Sequence, residues 1–148
     1  MGMTYNKSDQ LLLPTATSKA VEVDLGLGVD EAARILGVMV TALSATPTGA
    51  GSINVAYSFD PEDAAPAPDD DEQFFDMYVS VLLTTQGGRM ESDTVFADFS
   101  GMNLITTRNL SFCAKAVGVA GGIANGKVYY EKYKPSVTDL NQLIARRR

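Results

Sequence analysis

Apolar side chains recur at every second position from Phe75 to Leu83: Phe75, Met77, Val79, Val81 and Leu83, with Asp76, Tyr78, Ser80 and Leu82 between them. A period of two belongs to a pleated strand with one buried face; a helix would scatter these five side chains around its axis. The same period returns in Ser52 to Phe59 (Ile53, Val55, Tyr57, Phe59) and in Ala20 to Leu25 (Val21, Val23 and Leu25 against Glu22 and Asp24). Short alternating segments separated by glycine, proline and aspartate point to an antiparallel all-β fold.

Leu110 to Lys134 reads as a further pair of strands. Leu110, Phe112, Ala114 and Ala116 share one face of the first arm, and Val128 and Tyr130 alternate with Lys127, Tyr129 and Glu131 in the second. Asn125-Gly126 lies between the arms, and both residues tolerate positive φ, so a hairpin turn is expected there. Val29 to Leu43 is ambiguous. Val29, Ala32, Ala33 and Leu36 have helical spacing, but Val38, Val40 and Thr41 suit a pleated surface. A strand is expected from about Arg34 to Leu43, with room before it for a helical turn that Asp30 could cap. With Thr94–Phe99 and a short Leu104–Thr106, the expected fold is an antiparallel β-sandwich of seven or eight strands, jelly-roll-like, over residues 20–135.

Both ends extend this unit. Residues 1–19 have no periodicity apart from Leu11-Leu12-Leu13, and Pro14 bars a helix, so an extended N-terminal arm is expected there, its leucines pinned against this subunit or a neighbour. Residues 136–148 read as a short basic amphipathic helix: Ser136 and Asp139 form a capping box, and Val137, Leu140, Leu143 and Ile144 form an apolar stripe. Arg146, Arg147 and Arg148 fall at the negative end of its dipole. A helix of this length is marginal alone and needs a surface to pack on.

Chemistry is constrained by what the sequence lacks. The chain has no histidine, which removes the commonest general base and the Ser-His-Asp and Cys-His arrangements. Cys113 is the single cysteine, so no intramolecular disulfide can form, and its strand position suggests a small buried hydrophobe. Gly121 to Lys127, GGIANGK, matches a phosphate-loop spacing, but Val128 stands where Ser or Thr should bind magnesium, and a strand follows instead of a helix. Asp60 to Gln73 is a proline-rich loop with Asp60, Glu62, Asp63, Asp69, Asp70, Asp71 and Glu72, and Asp76 follows. Its spacing is irregular and lacks the EF-hand glycine, so a solvated surface loop is expected rather than a metal site. No cofactor is expected. Tyr129 and Tyr133 could form a small sugar platform, but the chain has no tryptophan. An enzyme is not expected.

Charge divides the chain. Residues 1–104 carry four basic and sixteen acidic residues, net −12, and residues 105–148 carry eight basic and two acidic, net +6. Such polarity suits head-to-tail binding between copies, or contact with an anionic surface through the basic end. No apolar run approaches the ~20 residues that span a bilayer. The start has no signal-peptide pattern, and Asn6 stands where a myristoylation signal wants Ser or Thr.

The N-terminal arm, about eight strands, long loops and basic C-terminal extension together resemble the small single-jelly-roll proteins of viral capsids and their accessory or decoration proteins. The resemblance implies a non-enzymatic subunit that self-assembles through sheet edges, arms and termini, located in a virion, with copies of itself and other capsid proteins as partners. Independently, the apolar ends and the basic tail make Leu11, Leu12, Leu13, Leu140, Leu143, Ile144, Arg146, Arg147 and Arg148 the expected assembly contacts, the three arginines also being candidates for nucleic acid or another anionic surface. The alternative is a soluble, ligand-binding β-sandwich module of carbohydrate or cell-surface type.

Overall fold

The computed structural model describes residues 3–14, 17–44, 51–67, 69–81, 91–117 and 122–145. These form β1 (Thr4–Leu13), β2 (Ser18–Val23), β3 (Ala32–Ser44), β4 (Gly51–Ser58), β5 (Gln73–Val81), β6 (Glu91–Asp98), β7 (Leu104–Thr106), β8 (Leu110–Val117), β9 (Gly122–Tyr133) and the helix α1 (Val137–Ala145). The strand pairs nest: β4 with β5, β3 with β6, β2 with β8, and β1 with β9, all antiparallel. Rolled up, that long hairpin becomes two sheets, β1-β9-β3-β6 with β7 beside β3, and β2-β8-β4-β5. This is a jelly roll, the all-β sandwich the alternation predicts.

The core lies between the sheets. Leu13, Ile35, Val38, Val40 and Val128 come from the first sheet, and Val23, Ile53, Val55, Tyr57, Leu110 and Phe112 from the second, each fully buried. Met77 and Val79 point inward as expected. Within that one sheet Met77 lies in a row with Val55 and Ala114, Val79 with Ile53 and Ala116, and Phe75 with Tyr57 and Phe112. Leu83 and the side chain of Val81 lie outside the described residues.

Two expectations of architecture are corrected. The expected arm over residues 1–19 is not separate, because β1 pairs with β9 from Thr4–Glu131 to Leu13–Gly122. Its period of two is hidden by Lys7 and Asp9, which fall on the inward parity with Tyr5, Leu11 and Leu13. Leu11 (5% exposed) and Leu13 (0%) are therefore core residues and not assembly contacts; Leu12, on the other parity, is 55% exposed.

The expected 110–134 hairpin does not form either. β8 and β9 belong to different sheets, joined by residues 118–121, which lie outside the described residues. Asn125-Gly126 runs straight through the middle of β9, paired with Gln10 and Asp9 on one side and Thr41 and Val40 on the other. A side chain at position 126 would begin 2.7 Å from the Phe112 ring, so glycine serves close packing here and not a turn.

The ambiguous stretch begins as a turn at Val29 and Asp30, closed by Glu31 N–H on the Gly28 carbonyl at 3.2 Å, and continues as β3 with a register shift between Ile35 and Gly37. The extra residue at this bulge breaks the strict alternation there.

α1 starts where its capping residues predict. Ser136 Oγ accepts from the Asp139 N–H at 3.2 Å, and the Ser136 carbonyl from Leu140 N–H at 2.8 Å. Arg146, Arg147 and Arg148 lie outside the described residues.

Candidate functional site

The outer faces of the two sheets differ in kind, and the difference begins with the acidic loop. The loop closes at its neck, where Phe59 N–H donates to the Glu72 carbonyl at 2.9 Å. Asp63 then clips it onto the second sheet: its Oδ2 accepts from Ser58 Oγ at 2.5 Å, and its carbonyl accepts from Ser111 Oγ at 2.6 Å. Gln73 braces the loop from inside, donating to Ala65 O and accepting from Ala67 N–H. Short turns are held by Asp60 Oδ1 on Glu62 N–H and Asp70 Oδ1 on Glu72 N–H. The loop thus lies outside both sheets, as expected, but it is also a cover. Ala56, Ser58, Ser111 and Cys113 face outward on the strands and are nonetheless fully buried. Burial, with the negative charges of Asp63, Asp76 and Asp70, pushes the Cys113 thiol up to about 12. Among the described residues no three carboxylates come together in a way that could hold a metal ion.

The first sheet presents a face without such a cover. Its outward residues run in rows across the strands: Leu12, Ile123 and Leu43; Gln10, Asn125, Thr41 and Thr94; Ser8, Lys127, Met39 and Phe96. Phe96 is 62% exposed and Met39 36%, and the Phe96 ring meets Tyr129 edge-on at 6.3 Å. Lys127 is the one charge in these rows. Asp98 stands at the rim, its carboxyl held below the usual range by hydrogen bonds from Ser100. At one end Arg34 is paired with Glu131 at 2.7 Å, bonded to Asn103 at 3.2 Å, and stacked over Tyr133. Between the two polar rows, over the backbone of Asp9 and Gly126, lies an open hollow of about 390 Å³. Gln10 Nε2 donates to Asn125 Oδ1 at 2.8 Å along its wall. A face low in charge, with Phe96, Met39 and Tyr129 grouped toward its β6 edge, has the composition of an interface core.

α1 is the third surface. None of its residues is buried; Val137 is 76% exposed and Ile144 38%. Leu143 borders a second hollow of about 210 Å³ shared with Ile105, Tyr133 and Pro135, so the helix stands off the end of the sandwich. Of the sequence-predicted assembly residues, Leu12, Leu140, Leu143 and Ile144 are on partly or largely open surfaces, on two separate elements. Met39 and Phe96 escape the sequence reading. The signal for Phe96 is a large aromatic on the polar parity of its strand, between Thr94 and Asp98.

No helix among the described residues is long and apolar enough to cross a membrane.

No protein-family model matches the chain, and neither does any curated protein. Solved structures do. The chain is similar to the semi-empty virus-like particle protein of the giant freshwater prawn (Macrobrachium rosenbergii) nodavirus, at 11% identity and a TM-score of 0.46, over 92% of this chain and 97% of that one. It is similar to a chain of the acidic stable capsid of a Helicobacter pylori bacteriophage, at 11% identity and a TM-score of 0.41, over 91% and 97%. It is also similar to Bacillus endospore appendages, described as disulfide-linked pili, at 12% identity and a TM-score of 0.37, over 92% of each chain.

Proposed function

We propose that this chain is a structural subunit that assembles with copies of itself without catalysis, of the kind that builds a viral shell, and that its place is the virion. The supporting observation is the apolar stripe of α1: its own sandwich leaves Val137 and Ile144 exposed and covers Leu140 and Leu143 only in part. A nine-residue helix does not hold itself together in water, so its stripe gains stability from a surface supplied by something else. Fully burying one leucine or isoleucine contributes roughly 1.5–3 kcal/mol, enough for two or three such side chains to drive association. The opposed charges of the two chain segments add attraction between copies, weakened by salt where exposed. In this reading other shell proteins are further partners, and Arg146, Arg147 and Arg148 contact an anionic surface such as nucleic acid phosphates.

The test is mass in solution. Sedimentation and light scattering should find an assembly of full-length protein, and a chain lacking residues 136–148 should be a monomer with an unchanged β circular dichroism spectrum. A full-length chain that stays monomeric at high concentration sinks the proposal. One observation favours a second reading: the hollow of about 390 Å³, ringed by Gln10, Asn125, Thr41 and Lys127, suits a binding module for a polar ligand such as a carbohydrate. A monomer whose thermal stability rises with such a ligand would establish that reading instead.

A further inference from the structure

We propose that the outer face of the first sheet receives helix α1 of a second copy of this chain, with Leu140, Leu143 and Ile144 set against Met39, Phe96 and Tyr129. This rests on the assembly reading and names the two surfaces that meet.

The surfaces match in chemistry. The helix carries one charge, Asp139, and the centre of the face carries one of opposite sign, Lys127. The Ser8–Phe96 and Gln10–Thr94 rows are otherwise neutral; the Tyr129 row ends in Asp98, which is exposed at the β6 rim and stays in water when the helix lies on the rows beside it. They also match in size. Nine helical residues span about 14 Å. The Met39–Phe96–Tyr129 patch crosses three neighbouring strands, roughly 10 Å. Beside it the hollow of about 390 Å³ is open to a branched aliphatic side chain, with Met39 on its wall and the bare backbone of Gly126 as its floor.

The chain does not satisfy this face with its own helix. α1 follows directly on Pro135 and Ser136, and Leu143 lies beside Ile105 and Tyr133 at the end of the sandwich. Phe96, on the edge strand β6, and Met39, on its neighbour β3, sit midway along their strands, paired with each other and away from that end. One copy offers a helix and the next a face, so the contact either repeats from copy to copy or closes as a reciprocal pair.

Complementation between two full-length variants tests this. Phe96→Asp spoils the face and leaves the helix; Leu140→Asp with Leu143→Asp spoils the helix and leaves the face. Both changes are on open or partly open surface, and circular dichroism checks that each variant is folded, with Met39→Lys as a second face variant. Each variant alone should lose association at least tenfold by sedimentation. An equimolar mixture should form a one-to-one dimer, since the first supplies the helix and the second the face. If the face variants associate like wild type, the helix docks elsewhere and the inference is wrong. If the helix variant associates like wild type, or if both classes are monomeric and their mixture stays monomeric, the helix and this face do not meet, and the inference is wrong while the assembly reading stands. A monomeric wild type overturns both.

Discussion

The phenol oxygen of Tyr57 occupies the space that a side chain at position 126 would need. Tyr57 comes from β4 in the second sheet and Gly126 from β9 in the first, so the contact spans the sandwich. The Phe112 ring, 4.7 Å from that of Tyr57, closes the same gap at 2.7 and 2.8 Å from the missing Cβ. Asp9 pairs with Gly126 across β1 and also faces inward. Asp9 Oδ2 and Tyr57 Oη are both buried without a hydrogen-bond partner among the described residues.

Gly126→Ala should therefore destabilise the fold by about 1–3 kcal/mol, because two rings in a filled core must move. Urea denaturation measures it. Tyr57→Phe alone should be neutral or slightly stabilising, since it removes a buried hydroxyl that has no partner. A large loss from Tyr57→Phe would mean the hydroxyl is bonded after all.

Burial raises the Asp9 carboxyl above its ordinary 3.8, and the Lys7 ammonium on the same strand opposes the rise. A raised folded value means that the native state holds the proton more tightly than the unfolded chain. Stability therefore falls as pH climbs from the unfolded value through the folded one, and the penalty is complete above both. Asp9→Asn should raise the urea midpoint at pH 7, and its advantage should shrink as pH falls toward 4. Equal advantage at both pH values would show that the charge is not responsible.

Asp63→Ala should unclip the acidic loop. It removes the Ser58 hydrogen bond to a carboxylate, a loss of about 1.5–3 kcal/mol. Cys113 should then react with an aromatic disulfide reagent at least tenfold faster than in the wild type, where it is covered and its thiol is hard to ionise. Unchanged reactivity would mean that the cover does not depend on Asp63.

Removing residues 1–14 should unfold the protein, in contrast to loss of residues 136–148. The first truncation takes away an edge strand with two core leucines and bares one side of β9; the second takes away a helix with no buried residue. Circular dichroism on both separates the two outcomes.

What the sequence made legible was local. Alternation at Ile53, Val55 and Tyr57 and at Met77 and Val79 located strands and their inner faces, because period and burial coincide there. The Ser136 cap located the helix start. Asn125-Gly126 misled because a turn preference is a property of neighbours in sequence, and the rings that require glycine arrive from residues 57 and 112. β1 was hidden because its inward row includes Lys7 and Asp9, and inward charges are one way an edge strand is kept from pairing with strangers. Of the candidate surface, the helix stripe was legible from its spacing. The sheet face was not, since its charge-poor rows exist only once β1, β9, β3 and β6 are side by side.

The nesting of the strand pairs orders events during synthesis. β4 and β5 are separated only by the acidic loop and its neighbours, so they can meet early. β1 leaves the ribosome first of the strands but pairs with β9, which leaves last, more than a hundred residues later. Contacts so distant along the chain are slow to form. Until β9 emerges, Leu11 and Leu13 have no first-sheet neighbour to lie against, and neighbouring nascent chains on one message carry the same unsatisfied strand. The first strand made is the last to be sheltered, and for that interval it depends on Lys7 and Asp9 to stay apart from its own kind.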